Sequence, residues 1–586
     1  MTVPATRRDV VLRAGAIWLA VAAIFLVTKW AEIRALALPD ADDTLRMIQV
    51  RDLFAGQPFW DLHQYRIDPP AGMLMHWSRL VDLPLWALQV LLRPLLGPEL
   101  AEHAALVIVP LLTLGAAMLL VGRLAARIGD KGLIAFACVV LALATPVTGQ
   151  MQPLRIDHHG WQIVAALAAL NGLVAANARR GGWIMGLSLA LGMSISLELL
   201  PIAVLLAAIL TLRWLRDPAA GAGLIHFLLA LATISVLAFF ATHGMADLAA
   251  HCDAVSPPYL AALVIAAGGT ALLGVVRPRN RWVIVSGLGA IALIAGAALL
   301  WLAPTCQAGP FTALDPLVRR FWYDNVHEGM PVWLQKPPVI AQMILPGVLG
   351  LIAAIGLARR SEGMLRQQWC EYALLLAGTI LLAVLVARAS AVACAFAAVP
   401  FAALLRDWQL RARAASRPLA RIAILGGMAM AVMPGVPLLA LGKLVSGPAK
   451  QDALPPAQLA CNIPAAAPVL NRIAPATIFA PIDIGPVLLA HTHHKVVATA
   501  HHRAPQALHD LIAAFIADPD AARPFVEAHG AHYVLVCPGL IEAGNYQRTA
   551  PQGLMARLLE GKAPTWLRPV PLPQESGLSL WEVAPR

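Results

Sequence analysis

The heptapeptide RIDHHGW, residues 155–161, places an aspartate and two adjacent histidines between two long apolar stretches. Asp157, His158 and His159 are costly to keep near a bilayer, so their grouping indicates a binding site rather than chance. Carboxylate oxygens with one imidazole nitrogen suit a divalent cation such as Mn²⁺ or Mg²⁺. Such an ion would neutralise a phosphate or diphosphate leaving group.

Other charged residues fit the same chemistry. Asp40, Asp42 and Asp43 follow the first apolar stretch, Glu328 lies in a long polar segment, and Arg388 sits between two apolar runs. Taken singly, each carboxylate could simply cap a helix or solvate a loop. Taken together on one membrane face, they predict a metal site beside a cation that can bind phosphate.

The surrounding elements are predicted to be membrane helices. Hydrophobic residues make up 59% of the chain and charged residues only 13%, about half the charged fraction of a soluble domain. Apolar runs near 20 residues recur to about residue 443, which is typical of an α-helical polytopic membrane protein. The predicted spans are roughly 14–31, 100–122, 132–150, 160–178, 182–197, 199–213, 222–242, 258–276, 282–303, 338–358, 370–387, 390–405 and 421–443.

The basic residues set the predicted topology. The net charge of +11 comes largely from arginine clusters in short loops between the spans, which places those loops in the cytoplasm and argues against a nucleic-acid partner. With about 13 crossings and a cytoplasmic N-terminus, the transmembrane domain is 1–444, its long outer loops are 32–99 and 304–337, and 445–586 is an extracytoplasmic domain. The apolar stretch 83–97 is predicted to lie on the outer surface as an amphipathic helix.

Several motifs resemble those of the catalytic subunit of oligosaccharyltransferase, a glycosyltransferase of the GT-C fold. DADDTLRMIQVRDLFAG looks like the family's first outer loop, DHHGW is similar to its second acidic motif, and NVHEGMPVW resembles the glutamate motif of its fifth outer loop. Arg388 before FAAVPFAALL looks like the family's diphosphate-binding arginine, and GAHYVLV resembles a strand of its soluble domain. The resemblance covers nearly the whole chain and implies a GT-C transmembrane domain followed by an α/β extracytoplasmic domain.

The resemblance also implies roles for individual residues. RDLFAG as an anchor makes Asp42 the catalytic aspartate, with Asp40 and Asp43 close enough to remain alternatives. Glu328 is the second catalytic residue, and Arg388 binds the donor phosphate. Arg46 and His158 are further candidates. The implied ligands of Mn²⁺ or Mg²⁺ are Asp42, Asp157, His159 and Glu328.

One segment departs from the family. The family's soluble domain uses a Trp-Trp-Asp motif to bind the Ser or Thr of the glycosylation sequon. The matching segment here is IFAPIDIGPVL, which keeps Asp483 and Gly485 but neither tryptophan. The donor site is therefore predicted with more support than an Asn-x-Ser/Thr acceptor.

The predicted function is an integral membrane glycosyltransferase of the bacterial inner membrane. It would transfer a sugar or oligosaccharide, with inversion, from a polyprenyl phosphate or diphosphate donor in the lipid to an acceptor protein or glycan on the outer face. A GT-C enzyme that modifies lipid A, a polysaccharide or a glycolipid is an alternative. A polytopic transporter is another, although few charges fall within the spans.

Three further features stay open at the level of sequence. Glu198, at the tip of the short pair of spans 182–197 and 199–213, is either a polar residue of the donor cavity or a helix end at the interface. The histidines between 491 and 503 are more simply solvated loop residues than ligands of a second metal. Cys461 and Cys537 share the outer domain and could pair, but their spacing does not require it.

Overall fold

A computed structural model describes residues 5–309, 311, 314–446 and 461–585. Two compact units divide the chain. The first comprises Met1–Leu36, Ser78–Gln307 and His327–Gly447, and the second comprises Ala37–Trp77, Ala308–Val326 and Pro448–Arg586.

Among the described residues of the first unit, the regular elements are all helices. Its core is lined by leucine, alanine and other apolar side chains from many helices. Its helices are Arg7–Thr28, Trp30–Ala35, Asp82–Ile128, Lys131–Leu143, Thr145–Thr148, His159–Leu173, Ala178–Ile195, Leu200–Arg216, Ala222–Thr242, Pro257–Val276, Arg281–Leu302, Pro337–Arg360, Gly363–Leu385, Ser390–Ala414, Pro418–Val432 and Gly435–Ser446.

Helices occur at all 13 predicted spans, but they differ in length. Among the described residues, nine helices are long and apolar enough to cross a membrane. The helices at the other four positions fall outside this set, so the number of crossings stays a prediction: Lys131–Leu143, His159–Leu173, Ala178–Ile195 and Pro418–Val432. The long apolar helices make the chain an integral membrane protein.

The helix Asp82–Ile128 contains a break. Its 47 residues are interrupted at Gly97, whose φ of 77° lies in the left-handed region. Glycine adopts this conformation without the steric cost that a side chain would bring. The predicted segments 83–97 and 100–122 are thus separate helices, as the sequence indicated, while the surface position of the first stays a prediction.

The second unit combines helices with a five-stranded sheet. The strand order is Lys495–Val496, Thr477–Phe479, Ala531–Val536, Ser579–Val583 and Leu567–Val570, parallel across the first three and antiparallel across the last three. The segment GAHYVLV supplies the central strand. A two-stranded ribbon pairs His63–Gln64 with Met73–Leu74. The helices are Ala41–Phe54, Pro316–Phe321, Ile463–Leu470, Gly485–His491, Pro505–Ile516, Pro519–Ala528, Ile541–Thr549 and Leu554–Leu559.

The second unit contains segments from before residue 444, where the sequence placed the domain boundary. Parts of both predicted outer loops, Ala37–Trp77 and Ala308–Val326, belong to the second unit. The reason is apolar burial: Leu45, Trp77 and Phe321 pack into the same core as the sheet. Burial of these apolar side chains in the core of the sheet unit therefore stabilises both segments.

Two disulfides are present. Cys461 pairs with Cys537 in the second unit, which resolves the open pairing, and Cys252 pairs with Cys306 in the first unit. Among the described residues, the three free cysteines lie within helices: Cys138, Cys370 and Cys394. The Cys252–Cys306 pair was not predicted, although both residues lie in segments predicted to be outside.

Candidate active site

Asp157 and His159 form a tightly bonded pair at the start of the helix His159–Leu173. Asp157 Oδ1 accepts the backbone N–H of His159 at 3.0 Å, and Oδ2 lies 2.9 Å from Nδ1 of the same residue. Arg155 Nη2 contacts Oδ2 at 2.7 Å. Burial opposes the charge of Asp157, but His159 and Arg155 outweigh it and hold the pKa of Asp157 well below its usual value. The carboxylate is therefore ionised and fixes the imidazole from one side.

The other nitrogen of His159 is open. Nε2 is buried and makes no hydrogen bond to any residue in the described parts of the chain. When a carboxylate holds Nδ1 of a histidine, Nε2 is the nitrogen through which that histidine usually binds a metal ion. His158 stacks on the ring at 4.3 Å between centroids, which further limits its rotation. These residues fit a divalent cation at Nε2.

Arg388 lies between two glutamates of the same unit. It sits in the 3-10 turn Ala387–Ala389, which precedes the buried helix Ser390–Ala414. Its Nη2 is 2.5 Å from Glu198 Oε1, and its Nη1 is 3.6 Å from Glu328 Oε1. Gln162, one turn after His159 on the same helix, donates to Glu198 Oε2 at 3.3 Å. The guanidinium, both glutamates and Gln162 thus form one polar network.

This network opens onto a pocket whose empty space, counted together with the solvent at its open mouth, is about 470 Å³. His159, Gln162, Glu198 and Arg388 line one part of it. The remaining lining is mostly apolar: Ile163, Leu199, Ile202, Thr379, Leu382, Ala389, Ala391 and Val392. A pocket with a few convergent polar groups and an apolar wall suits a ligand with a charged head and a hydrocarbon tail.

Asp40, Asp42 and Asp43 have different environments in the second unit. Asp40 is the N-cap of the helix Ala41–Phe54 and accepts the backbone N–H of Asp43 at 3.0 Å. Asp43 is fully buried. The side chain of Asp42 is 33% exposed, and its Oδ1 is 3.1 Å from His501 Nε2. Burial thus separates Asp43 from the other two, and the assignment of Asp42 as the catalytic aspartate stays a prediction.

His501 and Arg46 are structural neighbours of that site. His501 is buried, and its Nδ1 is 2.8 Å from Thr499 Oγ1, so its ring is held at both nitrogens. Arg46 is also buried, and its guanidinium lies 4.7 Å from the centroid of the Trp77 ring. The interpretation of the histidines at 491–503 as solvated is wrong for His501, because the fold buries it against Asp42.

No protein-family model matches the chain, and no curated protein matches it in sequence. Solved structures do match in fold. The archaeal oligosaccharyltransferase AglB from Archaeoglobus fulgidus, in complex with an inhibitory peptide and a dolichol-phosphate, matches with a TM-score of 0.63 and 14% identity over 95% of this chain and 72% of that chain.

Two other structures of the same archaeal enzyme agree. The enzyme tethered with an acceptor peptide containing the NVT sequon gives a TM-score of 0.63 at 14% identity, covering 97% of this chain and 74% of that chain. The complex with Zn and sulfate gives 0.57 at 15% identity, covering 97% and 73%. The chain has the oligosaccharyltransferase fold. The resemblance inferred from the motifs is therefore confirmed at the level of the fold.

Within this oligosaccharyltransferase fold, the predicted site residues fall in both units. Asp157, His158, His159, Glu328 and Arg388 belong to the first unit, and the first unit brings Glu328 and Arg388 together. Asp42 belongs to the second unit. Convergence of Asp42, Asp157, His159 and Glu328 on one ion stays a prediction.

The segment in place of the Trp-Trp-Asp motif has its own internal support. It follows the strand Thr477–Phe479, and Glu542 accepts the backbone N–H groups of Ile482 and Asp483 at 2.9 and 3.0 Å. Tyr546 donates to the same carboxyl group at 2.7 Å. Burial, together with the charge of Asp483, raises the pKa of Glu542 to about 8, and burial raises the pKa of Asp483 to about 6. The buried carboxyl group of Glu542 thus fixes the backbone at Ile482 and Asp483 through two hydrogen bonds.

The raised pKa of Glu542 predicts a pH dependence of stability. Its folded-state pKa exceeds the ordinary value of 4.5, so its contribution is complete below that pH and is lost as pH rises through about 8. The free energy of unfolding should fall by up to about 1.4 kcal/mol per pH unit in this window. Thermal unfolding of the purified full chain between pH 5 and 9 measures this, and Glu542→Gln should flatten the profile. Parallel profiles for the two proteins would contradict the assignment.

Proposed function

We propose that the chain is a membrane glycosyltransferase that transfers a sugar or oligosaccharide from a polyprenyl phosphate or diphosphate donor to an acceptor on the outer face of the membrane. The observation behind this proposal is the pocket that joins the open Nε2 of His159 to the guanidinium of Arg388. The fold, which the chain shares with AglB, supports the reaction class. AglB itself has been solved with a dolichol-phosphate and with an acceptor peptide.

The donor would bind through its phosphate and its prenyl chain. Arg388 offers a delocalised cation with several fixed N–H donors, which suits phosphate oxygens. The apolar wall formed by Ile163, Ile202 and Leu382 suits the isoprene units next to the phosphate. This arrangement would hold the sugar–phosphate bond beside His159.

A divalent cation, Mn²⁺ or Mg²⁺, is proposed as the cofactor, held by His159, Asp157, Glu328 and Asp42. When bound, such an ion stabilises negative charge on a departing phosphate. Asp157 would orient the imidazole through Nδ1, and its ionised carboxylate would add negative charge beside the ion. Glu328 would add a second carboxylate close to Arg388.

Asp42 is proposed to orient or deprotonate the acceptor nucleophile. Its partly exposed carboxylate contacts His501 through Oδ1. This contact would fix the orientation of the carboxylate toward the acceptor. Attack from the side opposite the leaving phosphate would invert the configuration at the sugar carbon, as the family resemblance implies.

Topology gives the first test of this proposal. Both disulfides join segments predicted to be outside, while the three free cysteines lie in helices; disulfides persist in oxidising compartments. We expect alkaline phosphatase fused after residue 586 to be active. A fusion within the loop after Leu200–Arg216 should be inactive and is the matched control. Activity of only the second fusion would place the site on the wrong face and would refute the proposal.

The acceptor is the second test. The segment 480–485 lacks the tryptophans of the family's sequon site, so an Asn-x-Ser/Thr peptide should be a poor acceptor. Lipid A, a polysaccharide or a glycolipid remains an alternative acceptor for the same donor chemistry. Cells that lack the gene should accumulate the lipid-linked sugar, and the purified protein should transfer that material to the glycan fraction at least about tenfold faster than to a sequon peptide. Efficient modification of the peptide asparagine would show that residues 480–485 form a sequon site after all.

A further inference from the structure

Glu198 belongs to the pocket network but to none of the family motifs. It lies in the 3-10 turn Leu197–Leu199, where Ser196 Oγ accepts its backbone N–H at 3.4 Å. One carboxylate oxygen is 2.5 Å from Arg388, and the other accepts from Gln162 at 3.3 Å. Glu198 therefore has a fixed position at the cation proposed to bind the donor phosphate.

The contact has a direct electrostatic consequence. Arg388 is already shared between Glu198 and Glu328, so a phosphate that approaches it meets two carboxylates as well as one guanidinium. Each additional negative charge on the donor raises the repulsion from Glu198. A bound divalent cation would attract the extra charge of a diphosphate and so act against Glu198, but it would do so equally in the wild type and in a variant that lacks this carboxylate.

We propose that Glu198 is a specificity-determining residue that selects a monophosphate-linked lipid over a diphosphate-linked lipid. This inference rests on the proposed function, because it concerns the donor of the same site. A phosphodiester to a sugar carries one negative charge fewer than the corresponding diphosphate. Gln162 and Arg388 hold Glu198 at both oxygens, so the carboxylate cannot simply rotate away from the larger charge.

Binding of two short lipids tests this inference without knowledge of the sugar. The probes are farnesyl phosphate and farnesyl diphosphate, each titrated into the purified full chain in detergent without an added divalent cation, so that only the protein's own charges act on them. The wild-type protein should bind the monophosphate more tightly. Glu198→Gln removes the charge and keeps the shape, and it should improve diphosphate binding on the order of tenfold more than monophosphate binding.

Two variants serve as controls. Glu198→Asp keeps the negative charge and should keep the preference. Glu362→Gln removes an exposed glutamate at the start of the helix Gly363–Leu385, outside the pocket, and should change neither affinity. Equal affinities in the wild type, or an equal change for both lipids in Glu198→Gln, would overturn the inference and leave the glycosyltransferase proposal intact. Binding of neither lipid would overturn both.

Discussion

Replacing His159 with alanine should remove most of the activity and its dependence on a divalent cation. The alanine variant loses the buried Nε2 that is open to a ligand and the ring that Asp157 holds. Loss of an ion that stabilises a phosphate leaving group costs several kcal/mol in the transition state, so we expect a loss of about a thousandfold or more. Sugar transfer from the lipid-linked material, measured across a Mn²⁺ titration, gives the result.

Asp157→Asn separates the support of the imidazole from the imidazole itself. The amide keeps the size of the side chain but loses the charge that fixes the Nδ1–H tautomer, so metal affinity should fall about 10- to 100-fold while saturating Mn²⁺ restores much of the rate. His226→Ala is the matched control, because this histidine hydrogen-bonds Ala222 of its own helix and does not line the pocket, so the variant should behave as wild type. Full activity of His159→Ala would contradict a role for this residue at the metal.

Arg388→Ala should reduce the transferase activity nearly as much as His159→Ala does. The cause should be weaker binding of the donor phosphate rather than loss of the metal ion. The loss of a partly buried charge at a phosphate costs on the order of 2–5 kcal/mol, which corresponds to about 30-fold to several thousandfold at about 1.4 kcal/mol per tenfold. In addition, Glu198 and Glu328 would lose the guanidinium they share. Their uncompensated charges would repel the phosphate further.

Arg388→Lys distinguishes charge from geometry. Lysine keeps the positive charge but offers a single ammonium group in place of the planar fork, so part of the activity should return. Arg360→Ala, which removes an exposed arginine paired with Asp407, controls for loss of charge alone. Kinetics with varied donor should show the defect in kcat/KM for the lipid-linked sugar, with no change in the Mn²⁺ requirement. An unchanged donor kcat/KM in Arg388→Ala would contradict its assignment to the phosphate.

Those parts of the site that depend on local sequence were predictable. Asp157 and His159 are two positions apart, and their contact follows from a turn before a helix. Arg388 and Glu328 are conspicuous because ionisable residues are rare beside apolar runs. The helices were predictable because an apolar run of about 20 residues is the length that a helix needs to cross the hydrocarbon core of a membrane.

Contacts between distant segments were not predictable. His501 meets Asp42 across 459 positions of sequence, and no periodicity in either segment indicates that pairing. The ion pair between Glu198 and Arg388 likewise depends on the packing of a 3-10 turn against another turn. Apolar side chains in loops place Ala37–Trp77 and Ala308–Val326 in the sheet unit. The apolar residues of a loop follow no helical or strand period, so the sequence does not indicate which core they join.

The break at Gly97 has a consequence for length. A continuous α-helix of 47 residues would extend about 70 Å at 1.5 Å per residue, more than twice the roughly 30 Å of a hydrocarbon core. A continuous helix across the membrane would therefore place about half of this apolar segment in water. The break at Gly97 lets the two parts of the segment take different directions. Nothing lies within 4 Å of a Cβ built at Gly97, so only the backbone dihedral opposes an alanine there. Because Pro98 follows directly and disfavours the helical conformation of the residue before it, Gly97→Ala should strain the break rather than join the two segments into one helix.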